Sequence, residues 1–338
     1  MSAASKPDLS TLLYSAMPAM DRTTVVLCTG LHSVMREEQS PTTSTEMASG
    51  LTTFHVSSWV QENEKDFEPP VCNKAMYSDQ LKAFFVGGPN QRADYHIEAG
   101  EELFYQVSGD MCLKVVEKGE KKDMVIKERH MFLLPARIQH SPQRFAGTIG
   151  CVVERTRAPW EKDGLRYFVK DSTAPLYERW FHLEDVVKDL PPVIKGFFAS
   201  EAHATGAPTA DSVVESDRPY EPDHETTLDP PFDVEDWIKK NFEAIKSNSP
   251  VPLFDTKKYK TQVLAYGEGS YKLPSFPGET LLLQMVGKRS VVVGGETLEM
   301  DVQDLTRIPA DTEFELRVIG PESVTLLMRM PTPTSPNN

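Results

Sequence analysis

The sequence predicts a mainly β protein: two small antiparallel barrels fused in one chain, with a few peripheral helices. Three observations predict it. Short aromatic and β-branched runs alternate with turn residues, a Pro- and acid-rich break interrupts the 338 residues, and one stretch before the break is repeated after it. The length itself favours two domains, because a single core rarely grows beyond about 250–300 residues.

Before the break, strand-like runs fall at 103–107, 111–116, 124–126, 131–134 and 149–154. Helical material is expected around 181–187 and 192–200, packed outside the first barrel. The break, 207–231, passes through Glu215, Asp217, Pro219, Pro222 and Pro230 and reads as a linker. An amphipathic helix follows at 234–245, with Trp237, Phe242 and Ile245 on one face. Strand-like runs resume at 262–266, 280–285, 290–293, 314–319 and 324–328.

The repeat is the most informative pattern. Residues 100–109 read GEELFYQVSG and residues 278–287 read GETLLLQMVG, while Leu134-Pro135-Ala136 is matched by Ile308-Pro309-Ala310. A unit this long is too large for a solenoid and implies duplication of a whole barrel. The expected organisation is therefore an N-terminal extension without fixed structure at 1–50, a first barrel with its helices at 51–206, the linker at 207–231, a second barrel at 232–331 and a tail at 332–338.

Composition excludes several classes. With 39% hydrophobic and 25% charged residues, no apolar run approaches the ~18 residues of a membrane span. A net charge of -14 spread along the chain argues against nucleic acid, so an anionic substrate would need locally placed arginines. Cys28, Cys72, Cys112 and Cys151 form no CxxC pair, which suggests neither disulfides nor a sulfur-ligated metal and fits a reducing compartment, the cytosol. The apolar stretch 24–28 has no basic segment before it, and Asp21, Glu37 and Glu38 flank it, unlike a secretory signal.

The chemistry-bearing residues lie in the first barrel. His96 and Glu102 flank a turn at Gly100, and His140 lies on a later strand. Two imidazoles and a carboxylate with open coordination positions suit a non-haem Fe(II) oxygenase. One such histidine alone would more often be structural; the three together at this spacing point to a metal site. Arg92, Arg144 and Glu154 are polar residues that a barrel interior would not hold without purpose. Arginine reads carboxylates through its planar fork, and Glu154, ending the apolar run 149–153, is placed to accept or return a proton. The second repeat lacks the set: Glu102 falls on Thr280, His140 on Phe314 and His96 near Pro274, and no His or Cys follows His224. The second barrel is expected to be metal-free and structural.

The spacing resembles the cupin motifs: a His, then Glu102, six residues and Gly109, followed by Pro135 and, five positions on, His140. It departs from them in carrying Glu98 where many cupins have a second metal-binding His, and Arg144 where they often have Asn. The resemblance sharpens at Gly87-Gly88-Pro89-Asn90, Asp94-Tyr95-His96-Ile97-Glu98, Leu133-Leu134-Pro135-Ala136-Arg137, His140-Ser141-Pro142-Gln143-Arg144-Phe145 and Asp163-Gly164-Leu165-Arg166-Tyr167. With Pro69-Pro70-Val71-Cys72-Asn73-Lys74, these segments are similar to the 3-hydroxyanthranilate 3,4-dioxygenase family over about residues 54–330. The first 50 residues have no counterpart there, so the true start is expected near Met47.

That resemblance implies two cupin barrels (double-stranded β-helix, jelly-roll) and a monomer, because bacterial members are dimers with an extra cysteine-ligated iron. It implies Fe(II) on His96, Glu102 and His140, with Arg92, Arg144 and Glu154 around the substrate. Arg92 and Glu154 are the residues expected to act on the reacting groups. The implied reaction is cleavage of 3-hydroxyanthranilate by O2 to 2-amino-3-carboxymuconate 6-semialdehyde, which cyclises to quinolinate on the kynurenine route to NAD. Left open are another cupin metalloenzyme and a non-enzymatic, small-molecule-binding cupin.

Overall fold

A computed structural model describes residues 44–69 and 72–333. Most of the expected extension (1–43), the end of the tail (334–338) and Pro70-Val71 lie outside the described residues. No helix among them is long and apolar enough to cross a membrane.

The first barrel is a sandwich of two six-stranded antiparallel sheets. One carries Leu81–Gly87, Glu102–Ser108, His130–Leu134 and Ile149–Arg155. The other carries Tyr95–Ile97, Met111–Glu117, His140–Arg144 and Asp163–Phe168. Strand alternation decides what each face meets. Phe104, Phe132 and Val152 turn inward to Met111 and Leu113, while Leu103, Leu133 and Val153 turn outward.

The outward face packs on the second barrel, against Leu281, Leu305, Leu326 and Met328, so the two barrels share one apolar core. Runs expected at 280–285 and 290–293 form a single strand, Thr280–Val293, and those at 314–319 and 324–328 form Phe314–Arg329. Register shifts between Gln284 and Lys288 let the pair bend through what the sequence shows as interruptions. Its inner face holds Leu282, Val291, Leu316 and Leu327.

The duplication is visible in the register. Glu102 sits opposite Leu134, and Thr280 sits opposite Ile308, as the aligned repeat requires. The motif glycines Gly109 and Gly287 both adopt positive φ, +66° and +71°, a conformation that favours glycine. His140 pairs with His96, and Phe314 pairs with Leu273. The second-barrel counterparts of His96, Glu102 and His140 are therefore Leu273, Thr280 and Phe314, the first one residue from the expected Pro274.

Several segments differ from expectation, among them Phe232–Asp233, expected to open the second barrel, which pairs with His130 and Met131 of the first. Thr52–His55 pairs with Asp304–Ile308, so the start of the segment assigned to the first barrel extends the sheet of the second, and Ser44–Glu46, inside the supposed extension, pairs with it. Phe181 ends a strand rather than starting a helix, and one helix, Val186–Phe198, runs through Pro191 and Pro192. Its Leu190, Val193, Ile194 and Phe197 cover Leu165, Tyr167 and Tyr177, and that burial outweighs the amide bonds the prolines cannot make.

The linker stretch is anchored on the first barrel. Arg218 donates to Glu178 Oε1 (2.6 Å), and the Leu228 amide donates to Glu117 (2.7 Å). Glu178 is buried and also takes Arg166 and the Trp180 indole N–H (2.8 Å). Burial works against its charge, but Arg218, Arg166 and Trp180 outweigh that and hold its pKa below the ordinary value. A lowered carboxylate pKa stabilises above the unfolded value, near 4.5, and that stability is lost as pH falls through the folded pKa. Glu178→Gln is expected to cost on the order of 3 kcal/mol at pH 7 and to flatten acid unfolding below about pH 4.5. Urea titrations across pH check this, and equal losses at pH 7 and pH 3 would contradict it.

Candidate metal centre

Five of the six expected site residues reach the barrel interior by strand alternation; Arg92 lies in the loop before Tyr95–Ile97, half-buried and paired with Asp94. His96 and Glu98 are two apart and share a face, as do His140 and Arg144, four apart. Glu102 precedes inward Phe104 by two, and Glu154 follows inward Val152 by two. Gly150, two residues before Val152, lets the Gln106 and Arg144 side chains pass close over its backbone. Apart from Arg92, all of these polar side chains are buried.

His96, Glu102 and His140 converge, each offering one ligand atom within 4.8 Å of the others. Glu102 Oε1 is 2.9 Å from His140 Nε2 and 3.8 Å from His96 Nδ1. The far ring nitrogens are anchored: His140 Nδ1 donates to the Ile138 carbonyl (3.0 Å), and His96 Nε2 donates to Asp163 Oδ2 (2.7 Å). An imidazole whose outer nitrogen carries the proton presents a lone pair inward, as metal-binding histidines do. Two such lone pairs and a carboxylate oxygen repel unless a cation or protons lie among them. Glu102 Oε1 is buried and makes no hydrogen bond.

Charge leads to the same conclusion. Glu98, Glu102, Glu154 and Asp163 put four buried carboxyls around the site, against the guanidiniums of Arg144 and Arg157; Arg92 is engaged by Asp94. The surplus of two negative charges matches a divalent cation. Without one, protons take its place. Burial and the repulsion of Glu102, Glu154 and Asp163 hold Glu98's carboxyl well above the usual range despite Arg157. Burial disfavours charged His96, yet the hydrogen bond to Asp163 and the nearby Glu102 carboxylate push it up to about 10. These donors suit Fe(II), and two protein imidazoles with one carboxylate leave positions for exogenous ligands.

Arg157 was missed in the sequence. It donates to Glu98 and to Asp163 (2.8 Å), lies 2.5 Å from Glu154 Oε1, and thereby ties two pocket carboxylates to the anchor of His96. Arg144 contrasts with it. It is buried, donates to Met111 Sδ (2.9 Å), and no carboxylate among the described residues forms an ion pair with it. Burial lowers its pKa to about 10, with Glu102 opposing and Arg92 adding to the shift.

The fold and this triad define a class: a two-barrel cupin with a site able to hold one metal ion in its first barrel. A family model described as 3-hydroxyanthranilic acid dioxygenase matches residues 48–198. The chain is 47% identical to 3-hydroxyanthranilate 3,4-dioxygenase of Caenorhabditis elegans over 281 residues, 83% of this chain and 99% of that one. It is 44% identical to the Homo sapiens enzyme of that name over 260 residues, 77% and 90% of the two chains. It belongs to the 3-hydroxyanthranilate 3,4-dioxygenase family. An oxalate decarboxylase structure from Bacillus subtilis resembles it only loosely, at TM-score 0.40 and 16% identity over 92% of this chain and 81% of that one.

Proposed function

We propose that the protein cleaves the ring of 3-hydroxyanthranilate with O2, using one Fe(II) held by His96, Glu102 and His140. The observation that carries this reading is the polarity of the pocket. Arg144 is a buried guanidinium that no carboxylate among the described residues pairs with, while Glu98 and Glu154 each bring a carboxylate oxygen within 4.8 Å of Glu102, and Glu98 Oε1 has no hydrogen-bond partner. A ring bearing a carboxylate, for the guanidinium, and a hydroxyl and an amine, for the carboxylates, matches that set of groups.

The metal, when bound, supplies a Lewis-acidic centre at which an adjacent hydroxyl and amine can be held together with O2. The protein's own residues do the rest. Arg144 takes the substrate carboxylate bidentately and fixes the ring's direction. Asp163 and the Ile138 carbonyl keep both imidazoles turned inward. Glu154 receives the hydroxyl proton and returns it as the ring opens. Arg92, steadied by Asp94, adds positive potential at the Arg144 end. The product would be 2-amino-3-carboxymuconate 6-semialdehyde, which cyclises to quinolinate, and the setting a cytosolic monomer. The shared core in which the second barrel covers the outer face of the first supports the monomer.

Oxygen uptake with 3-hydroxyanthranilate, together with the absorbance of the ring-opened product, tests the reading. Uptake is expected to need the carboxylate, the hydroxyl and added Fe(II), and failure to consume O2 with this substrate would refute it. Arg144→Ala should keep its metal and lose on the order of 2–4 kcal/mol in kcat/KM, mostly through KM, because the substrate carboxylate is left buried and unpaired. Metal loss in that variant would mean that Arg144 serves the ion instead.

A further inference from the structure

Glu98 is a buried carboxylate that the chemistry above leaves without a role. It follows His96 by two residues on the same strand face and is 3% exposed. One oxygen is taken by Arg157, while Oε1 is buried with no hydrogen-bond partner. One oxygen each of Glu98, Glu102 and Glu154 lies within 4.8 Å of the others. Once Glu102 serves the metal, two acceptors remain on this wall, Glu98 and Glu154. The edge of an ortho-aminophenol offers two donor groups.

We propose that Glu98 is a specificity-determining residue that accepts an N–H of the substrate's amine, leaving the hydroxyl proton to Glu154. The pocket then selects rings with an amine beside the hydroxyl, since a ring lacking it leaves Glu98 Oε1 buried and unpaired. This rests on the substrate class proposed above.

Glu98→Gln is the informative change. Arg157 requires an acceptor, so the amide oxygen turns to Arg157 and the amide NH2 faces the pocket, a donor meeting a donor. The experiment compares anaerobic dissociation constants of the Fe(II)-loaded wild type and variant for 3-hydroxyanthranilate and for 3-hydroxybenzoate, which lacks the amine. The wild type is expected to prefer the aminophenol, and Glu98→Gln to shrink that preference by about tenfold or more. Glu98→Asp, which keeps the carboxylate but withdraws it, should fall between them and decides the matter where the glutamine variant fails to fold or to hold iron. An unchanged preference in either folded, iron-loaded variant overturns the proposal. If the wild type does not cleave 3-hydroxyanthranilate, the substrate reading falls; if it does and the preference survives substitution, only the role of Glu98 falls.

Discussion

Replacing His140 by alanine should remove metal and activity together. The imidazole is one of three candidate ligands, its outer nitrogen is fixed by the Ile138 carbonyl, and no third histidine among the described residues joins the cluster to replace it. Two remaining ligands would hold the ion weakly, with a loss of at least about 100-fold in affinity. Metal analysis after dialysis and oxygen uptake read the two losses side by side. The repeat supplies the control. Phe314→Ala, at the matching position of the second barrel, should cost about 3–5 kcal/mol of stability as a core truncation while leaving metal stoichiometry unchanged. Full turnover in His140→Ala would refute the metal assignment.

Arg157→Gln is expected to be the most damaging single change to the pocket's framework. It removes the buried cation in contact with Glu98, Glu154 and Asp163, leaving three carboxyls to repel one another, at a cost of about 3–5 kcal/mol. Asp163 loses its own partner, so His96 is held less firmly and metal affinity should fall about tenfold or more. Arg157→Lys keeps the charge without the fork and should lie between the two. Denaturant titration and metal competition measure both effects. A variant with wild-type stability and affinity would show that the carboxylates do not depend on Arg157.

The triad was legible because strand alternation and the turn at Gly100 fix where His96, Glu102 and His140 point, and the second barrel because its repeat keeps the same register. Arg157 and Asp163 were not. Arg157 lies beyond the end of the strand Ile149–Arg155, where alternation no longer dictates direction. Asp163 opens a strand that is buried on both faces and so shows no polar–apolar alternation. Leu81–Gly87 is likewise read as no strand although it pairs on both sides: Lys82 is its one charged residue, so apolar residues occupy both faces and hide the period. Ser44–Glu46 and Thr52–His55 escaped notice because they are short and mostly polar; Thr52–His55 takes its place by pairing with residues some 250 positions away, a separation no local pattern records, and Ser44–Glu46 pairs in turn with it.

The most direct test is an anaerobic Fe(II) titration of metal-free protein, with turnover of 3-hydroxyanthranilate measured at each step. Activity should rise linearly and stop at one iron per chain, with the iron lost in His140→Ala. Turnover without iron, or a plateau at two irons per chain, would contradict a single centre in the first barrel.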